Sequence, residues 1–133
     1  GSTFIVGGQI KGQQHELYLV YPQGNYIRPA DSKPYLVIGE VKYGKPILDR
    51  VIKPDVSIGD ASRCALISMD STLKSDLTVG PPIDFAVLKK DADKLSSLEC
   101  LNVTDETYSK VCNQWSDGIF KVFDSFPRFN WEK

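Results

Sequence analysis

The sequence predicts a single mixed α/β domain on the strength of three observations. The chain has 133 residues, 41% hydrophobic and 25% charged, which is an ordinary globular composition with enough apolar side chains for one core. Apolar and β-branched runs typical of strands occupy its first third, and apolar residues at helical spacing dominate two later stretches. Neither repeats nor low-complexity segments divide the chain, so residues 1–133 are expected to form one domain, with Gly1-Ser2 as a candidate remnant of an expression tag.

Charge and hydropathy argue against several classes of partner. Sixteen basic residues nearly balance seventeen acidic ones, giving a net charge of -1 without a Lys/Arg cluster. We therefore expect no nucleic-acid backbone and no anionic membrane surface as a partner. No apolar run is long enough to span a bilayer, and no secretory signal is visible at the start of the sequence, so a cytoplasmic protein is expected.

The three cysteines do not suggest a metal or redox site. Cys64, Cys100 and Cys112 match neither zinc-ligand nor redox-pair spacing. Cys64 and Cys112 fall on the apolar faces of predicted helices, so they are expected to be small buried hydrophobes. We predict no metal and no cofactor.

The first elements are predicted to be a β-hairpin and a short third strand. Phe4 to Ile10 and Glu16 to Tyr21 read as strands joined by a Gly-containing connection. The pair Gly7-Gly8 within the first strand indicates a bulge or a close backbone approach. Tyr26 and Ile27 return after a turn at residues 22–25.

A strand that turns into a helix is predicted next. Tyr35 to Ile38 is apolar at every position, which favours a strand buried on both faces. After the Gly39 turn, apolar residues at helical spacing run to Ile52, and Pro46 is tolerated in the first turn of that helix. Lys53-Pro54 ends it.

Two longer helices follow. Ser57 is predicted to cap the first, with Asp60 as its partner in a capping box, and an apolar stripe continues to Leu73. Ile83 to Leu88 reads as a strand, and the weakly patterned Ala92 to Leu101 as a short helix or a loop. The last helix is predicted to start at Thr104-Asp105-Glu106 and to stop at Phe126-Pro127, with apolar residues at helical spacing from Tyr108 to Phe123.

Several long motifs resemble one family. The motifs are residues 4–10 (FIVGGQI), 21–25 (YPQGN), 38–50 (IGEVKYGKPILDR), 69–75 (MDSTLKS), 79–84 (VGPPID) and the tail from Trp115 to Trp131. Together they resemble Anbu, the ancestral β-subunit-like bacterial proteasome-type peptidases, over nearly all of this chain. The resemblance covers only the C-terminal half of such proteins.

The resemblance implies an α+β fold and an activity. Relatives of proteasome β subunits are N-terminal nucleophile hydrolases with a four-layer αββα sandwich, assembled into rings or helical open rings. Their nucleophile is an N-terminal Thr or Ser supported by an Asp and a Lys, all in the first half. Ser2 and Thr3 precede a segment that corresponds to the family's interior, so neither is that nucleophile. We expect the isolated chain to be inactive.

Supporting residues are the contribution expected of this half. Where proteasome subunits carry a Gly-Ser-Gly turn, this chain has Gly39-Glu40-Val41, so a carboxylate replaces the hydroxyl. Glu40 either pairs with a catalytic Lys of the other half or is a solvated loop acid. Gly39, Lys42 and Tyr43, with Lys45, are candidates for lining a substrate channel or a subunit contact, although exposed loop charges more often do neither.

A second supporting motif in the family is an Asp followed three residues later by Ser after a long helix. The length to the next strand favours Asp76 here, with Val79 at the third following position and Thr78 as the nearest hydroxyl. Asp70 with Ser71 is the alternative, although Asp70 fits the solvated face of the helix. His15 has no nucleophile motif to pair with.

Three functions remain open at this point. The chain is the C-terminal fragment of a peptidase, a non-catalytic assembly or binding module that lost the nucleophile half, or a subunit that complements a separate N-terminal chain. The expected partners are accordingly the missing half or like subunits in a homo-oligomer, and a peptide substrate in the full-length protein. Unpaired sheet edges and uncovered apolar faces also predict an oligomer.

Overall fold

A computed structural model describes all residues 1–133 and shows an α+β fold with two antiparallel sheets and three helices. The strands and helices, in chain order, are β1 (Phe4–Gln9), β2 (His15–Val20), β3 (Tyr26–Ile27), α1 (Lys45–Val51), α2 (Ile58–Ser75), β4 (Ile83–Val87), β5 (Ser97–Leu101) and α3 (Glu106–Asp124), followed by a 3-10 turn at Asn130–Glu132. The predicted α+β class is confirmed. None of the helices is both long and apolar enough to cross a membrane.

The first sheet is the predicted hairpin with a third short strand, in the order β1-β2-β3. Pairing runs without interruption from Phe4 opposite Val20 to Gln9 opposite His15, so the bulge expected at Gly7-Gly8 is wrong. The alternative, a close backbone approach, is wrong as well. A Cβ at Gly7 would lie 2.9 Å from a side-chain atom, Leu17 Cδ1, whereas the nearest backbone atom, the Glu16 carbonyl oxygen, lies at an ordinary 3.5 Å.

The predicted strand at Tyr35 to Ile38 is absent, because no strand of the chain lies beside it to accept its backbone hydrogen bonds. Tyr35 and Val37 instead pack against the apolar cluster of Leu48, Ile52 and Cys64. Ile38 is exposed, so the expected burial on both faces is also wrong. An apolar run predicts that its side chains are buried, whereas a strand also needs a neighbouring strand for its backbone hydrogen bonds.

Helix α2 begins as predicted at Ser57. The Ser57 Oγ accepts the backbone N–H of Asp60 at 3.0 Å, and the Ser57 hydroxyl donates to the Asp60 carboxylate at 2.7 Å. One half of the expected capping box forms, the bond from the Asp60 backbone N–H to the Ser57 hydroxyl. The other half does not, because the Asp60 carboxylate bonds the Ser57 hydroxyl and not the Ser57 backbone N–H. Arg63 adds an ion pair to Asp60.

The segment Ala92 to Leu101 was expected to be a helix or a loop, and this expectation is wrong for its second half. Residues 97–101 form β5, which pairs antiparallel with β4 from Ile83 opposite Leu101 to Val87 opposite Ser97. Leu98 and Cys100 are exposed, so β5 lacks the alternation that would reveal a strand. Its pairing with β4 is what orders it. Helix α3 starts where predicted, with Asp105 as its N-cap.

The core consists of two small clusters, each of which includes or packs against residues of α2. One contains Leu48, Ile52 and Cys64, and the other contains Ile83, Tyr108 and Cys112, so the predicted burial of Cys64 and Cys112 is confirmed. Only 11 of 133 residues are buried.

The accessible surface is large for a chain of this size. It measures 10131 Å². A compact monomer of the same mass exposes about 7,000 Å². The chain therefore exposes about 3,000 Å² more than its mass predicts, and large hydrophobic side chains such as Phe120 and Trp131 are among its exposed residues.

Replacing the α2 cap should destabilise the fold. Ser57→Ala removes the acceptor for the Asp60 N–H, so we expect the free energy of unfolding to fall by about 1 kcal/mol in urea denaturation. Ser75→Ala, at the exposed C-terminal end of the same helix, is the matched control and should change it by less than about 0.5 kcal/mol. Equal effects of the two substitutions would contradict a capping role.

Candidate functional site

The loop Gly39–Gly44 is fixed at both ends by glycines. Gly39 has a φ of 81°, a left-handed conformation that other residues adopt at a cost. Gly44 is buried against α2, where a Cβ would lie 3.1 Å from the Ser68 carbonyl oxygen and 3.3 Å from Thr72 Oγ1. The loop is therefore held against one face of α2. The hydroxyls of Ser68 and Thr72 donate to carbonyls of their own helix, which removes unpaired polar groups from this contact.

Glu40 folds back on its own loop. Its carboxylate accepts the backbone N–H of Lys42 at 2.9 Å, and the residue is half-buried. This bond gives Glu40 a local structural role that its sequence position did not indicate. Gly39, Lys42 and Tyr43 lie exposed around it.

Asp76 lies at the end of α2, as the C-cap residue. Its Oδ1 accepts the Thr78 backbone N–H at 2.8 Å and the Thr78 hydroxyl at 2.7 Å. These bonds hold the pKa of the Asp76 carboxyl below its usual range against the opposing effect of burial, and the positive charge of Lys42 makes the smallest contribution. The structure thus brings together three of the predicted residues, Lys42 from the loop and Asp76 and Thr78 from the end of α2.

Asp70 lies in a different environment. It is 9% exposed, which overturns its assignment to a solvated face of the helix. Lys74 Nζ lies 2.8 Å from its Oδ2 and donates to Ser116 Oγ at 3.2 Å, so the ion pair connects α2 with α3.

The cysteine and tyrosine beside Asp70 are unreactive in character. Burial raises the pKa of Tyr108, and it also raises the pKa of the Cys112 thiol. Neither group therefore ionises readily near neutral pH. His15 lies exposed at the end of the first hairpin, and nothing in the structure gives it a nucleophile.

A polar network around Asp49 was missed from sequence. Tyr35 donates to Asp49, Lys45 Nζ lies 2.8 Å from Asp49 Oδ2, and Lys33 Nζ lies 3.2 Å from Oδ1. The Lys45 and Tyr35 bonds hold the pKa of Asp49 far below its usual range. Only the i,i+4 spacing of Lys45 and Asp49 on α1 is a sequence signal. Asp49 therefore fixes the Tyr35 segment onto α1, and Lys45 holds the Asp49 carboxylate in place.

No group of three or more His, Cys, Asp and Glu side chains converges in a way that could hold a metal ion. The polar corner formed by Lys42, Asp76 and Thr78 is an arrangement of hydrogen bonds and charge. The Asp76 carboxylate is held in its ionised form near the exposed Lys42. A fixed, ionised carboxylate is suited to orient or stabilise a neighbouring charged group.

Comparisons with solved structures place this fold. The chain is similar to Anbu from Hyphomicrobium sp. strain MC1, with a TM-score of 0.91 and 42% identity over 96% of this chain and 55% of that one. It is also similar to Anbu in "Helical Assembly of the Anbu Complex from Pseudomonas aeruginosa" (0.90; 42%; 96% and 53%) and to Anbu (ancestral beta-subunit) from Yersinia bercovieri (0.91; 40%; 95% and 54%). No family model and no curated protein matches the chain. The chain spans about half the length of the solved relatives it matches.

The causes of the Asp76 shift predict an order of mutational effects. Thr78→Val removes the hydroxyl bond, the largest contribution, and should raise the pKa of Asp76 more than Lys42→Met, which removes only the charge. Carboxyl 13C NMR titration measures both shifts. Lys53→Met, which removes an exposed lysine after α1, is the control and should leave the pKa unchanged; a larger effect of Lys42→Met than of Thr78→Val would contradict the assignment.

The Asp49 network predicts acid sensitivity. The folded pKa of Asp49 is lowered, so its contribution to stability is complete above the ordinary value of 3.8 and is lost as the pH falls through the lower folded pKa. Asp49→Asn should therefore lower the urea midpoint at pH 7 and flatten its decline below about pH 4. Asp55→Asn, an exposed acid after α1, should retain the decline. An unchanged acid profile for Asp49→Asn would show that the network contributes nothing.

Proposed function

Because the chain is Anbu-like and corresponds to about half of an Anbu chain, we propose that it is the C-terminal half of a proteasome-type N-terminal nucleophile peptidase, which hydrolyses peptide amide bonds when whole. Residues 1–133 then form one domain-sized portion of a four-layer αββα sandwich, in a cytoplasmic protein. The nucleophile, its α-amine and the activating lysine come from the other half. The chain by itself is inactive.

The observation that carries this proposal is the corner of Lys42, Asp76 and Thr78. In an N-terminal nucleophile hydrolase the free α-amine takes the proton of its own hydroxyl or thiol, so charged groups around that amine must be fixed in place. Asp76 is suited to this because the two Thr78 hydrogen bonds fix its carboxylate and keep it ionised. We assign Asp76 the supporting role, with Thr78 positioning it and the charge of Lys42 nearby.

Glu40 is assigned a second supporting role. Its carboxylate already holds the loop by accepting the Lys42 N–H, and a carboxylate has acceptor capacity beyond one bond. Pairing with a lysine of the other half would place that lysine beside the loop. Gly39, Lys42 and Tyr43 form the adjoining exposed surface, which we assign to the bound peptide.

The excess surface supports a partner for this chain. About 3,000 Å² beyond the value for a compact monomer is more than a standard protein interface contributes from one side. The uncovered strands of both small sheets are suited to pair with strands of the other half. The Pseudomonas aeruginosa relative is described as a helical assembly, and we propose that this chain also assembles with like subunits.

The same surface favours a second candidate, a non-catalytic assembly or binding module. Such a module would keep the helices and sheets used in subunit packing and would carry no active site. In that case the corner around Asp76 serves only to shape the loop. The two candidates differ in whether amide hydrolysis appears when the nucleophile half is supplied.

Activity should require the other half. We expect no hydrolysis of fluorogenic peptide amides by the 133-residue chain, and measurable hydrolysis after co-purification with the N-terminal half of the Hyphomicrobium relative. In that complex Asp76→Asn should lower kcat by about 100-fold, whereas Asp55→Asn should not. Turnover by the chain alone would overturn the proposal, and a stable complex without turnover would favour the binding module.

A further inference from the structure

The segment that leads into the loop Gly39–Gly44 is almost free of backbone hydrogen bonds. Across residues 36–43 there is one bond between main-chain atoms, which the Val41 carbonyl oxygen accepts from the Lys45 N–H at 3.2 Å. Residues 35–38 also lack a neighbouring strand. Backbone pairing normally fixes a stretch of chain in place, so here the side chains on either side of the loop must do so.

One carboxylate, that of Asp49, bonds side chains from both flanks of this segment. Upstream, the Tyr35 hydroxyl donates to Asp49 Oδ1, and Lys33 Nζ lies 3.2 Å from the same oxygen. Downstream, Lys45 Nζ lies 2.8 Å from Asp49 Oδ2. The Lys45 ammonium also donates to the Tyr35 hydroxyl at 3.3 Å and lies 5.8 Å from the centroid of that ring. The two flanks therefore meet at Asp49, which closes residues 35–45 into a loop.

Asp49 differs from the other ion-paired acids of the chain. It is the only one that pairs with two basic residues. Its side chain is 29% exposed, whereas those of Glu16, Asp60 and Asp124 are 47–70% exposed in their ion pairs. An isolated exposed ion pair contributes little, but a partly covered carboxylate shared by several donors fixes the geometry of all of them. This network is therefore suited to hold two parts of the chain together.

On the basis of the function proposed above, we propose that Asp49 is a positioning residue for peptide hydrolysis, holding the loop Gly39–Gly44 so that Lys42 lies beside Asp76. Lys42 is the loop residue whose charge reaches Asp76. Asp49 acts on the loop through the side chains that flank it and takes no part in the chemistry itself.

The two ends of the loop depend on Asp49 to different degrees. Gly44 packs against α2, where a Cβ would lie 3.1 Å from a backbone carbonyl oxygen, and this contact does not involve Asp49. Gly39 has no atom within 4 Å of its Cβ position, so nothing packs closely there. Among residues 35–39 only Tyr35 has a polar side chain, and its ring also packs against the apolar cluster beside α1. Loss of Asp49 should therefore loosen the upstream end without unfolding the loop.

Amide exchange of the 133-residue chain, measured by NMR, tests this role without catalysis. The Lys42 N–H donates to the Glu40 carboxylate within the loop. Asp49→Ala should speed exchange of this amide about tenfold, because the loop opens more often. Asp60→Ala is the matched control, since it also removes an ion-paired acid from a helix but lies about 12 Å along α2 from the turn that contacts Gly44. It should change the rate by less than about twofold. Equal acceleration by the two variants would overturn the proposal.

Tyr35→Phe separates the bond to Asp49 from the packing of the ring. By itself it should also speed exchange of the Lys42 amide, because the upstream flank loses its only polar bond to α1 from residues 35–39. In the Asp49→Ala background it should add less than about twofold, since the hydroxyl has already lost its acceptor. Fully multiplicative effects of the two substitutions would show that Asp49 acts by another route and would overturn the proposal.

Catalysis gives the second measure, in the complex with the N-terminal half of the Hyphomicrobium relative. Asp49→Ala should lower kcat/KM about tenfold, and Asp60→Ala should change it by less than about twofold. In a Lys42→Met background, Asp49→Ala should cost less than about threefold, because the residue that it positions is gone. An undiminished effect in that background would overturn the proposal. Absence of turnover in the wild-type complex would count against the proposed function, and the exchange measurements would still decide whether Asp49 holds the loop.

Discussion

The packing of helix α2 between two separate apolar clusters is the constraint on which the rest of the chain depends. Cys64 faces α1 in one cluster, while Leu66 and Leu73 pack against the second cluster beside α3. Each cluster has only three buried members, so neither forms an independent core of useful size. Helix α2 must be ordered for α1, α3 and β4 to be placed at all.

The same helix positions the candidate site. Gly44 contacts the Ser68 and Thr72 turn of α2, and Asp76 ends that helix less than two turns later. A displacement of the loop or fraying of the last turn would therefore separate Lys42 from Asp76. The positions of Lys42 and Asp76 therefore depend more on the packing of the loop against α2 than on the loop itself.

Sequence patterns predicted those parts of the fold that local chemistry determines. The Ser57 cap, the α3 start at Asp105 and the β1–β2 hairpin follow from nearby residues alone. The errors at Tyr35–Ile38 and Ala92–Leu101 concern strand pairing, which depends on residues distant in sequence. One apolar run lacked a strand partner, and one weakly patterned run had a partner in β4.

The candidate site was predictable to a similar extent. The family resemblance pointed to Glu40, Lys42 and Asp76, but no spacing rule predicts that Lys42 and Asp76 lie close enough for one to affect the pKa of the other. The network around Asp49 was hidden for the same reason. Lys33 and Tyr35 reach Asp49 across the loop, and only Lys45 shares its helix.

The surroundings of Asp70 and Asp76 favour Asp76 as the supporting acid. Asp76 follows Asp70 by six residues, about 9 Å along a helix axis and about 240° around it, so the two side chains face different neighbours. Lys74 already neutralises Asp70, and moving that carboxylate would leave Lys74 without its ion-pair partner at the α2–α3 contact. Asp76 is fixed only by Thr78 and lies beside the exposed Lys42. An acid that must act on a group from another polypeptide needs a fixed position and an accessible side, and of the two only Asp76 combines them.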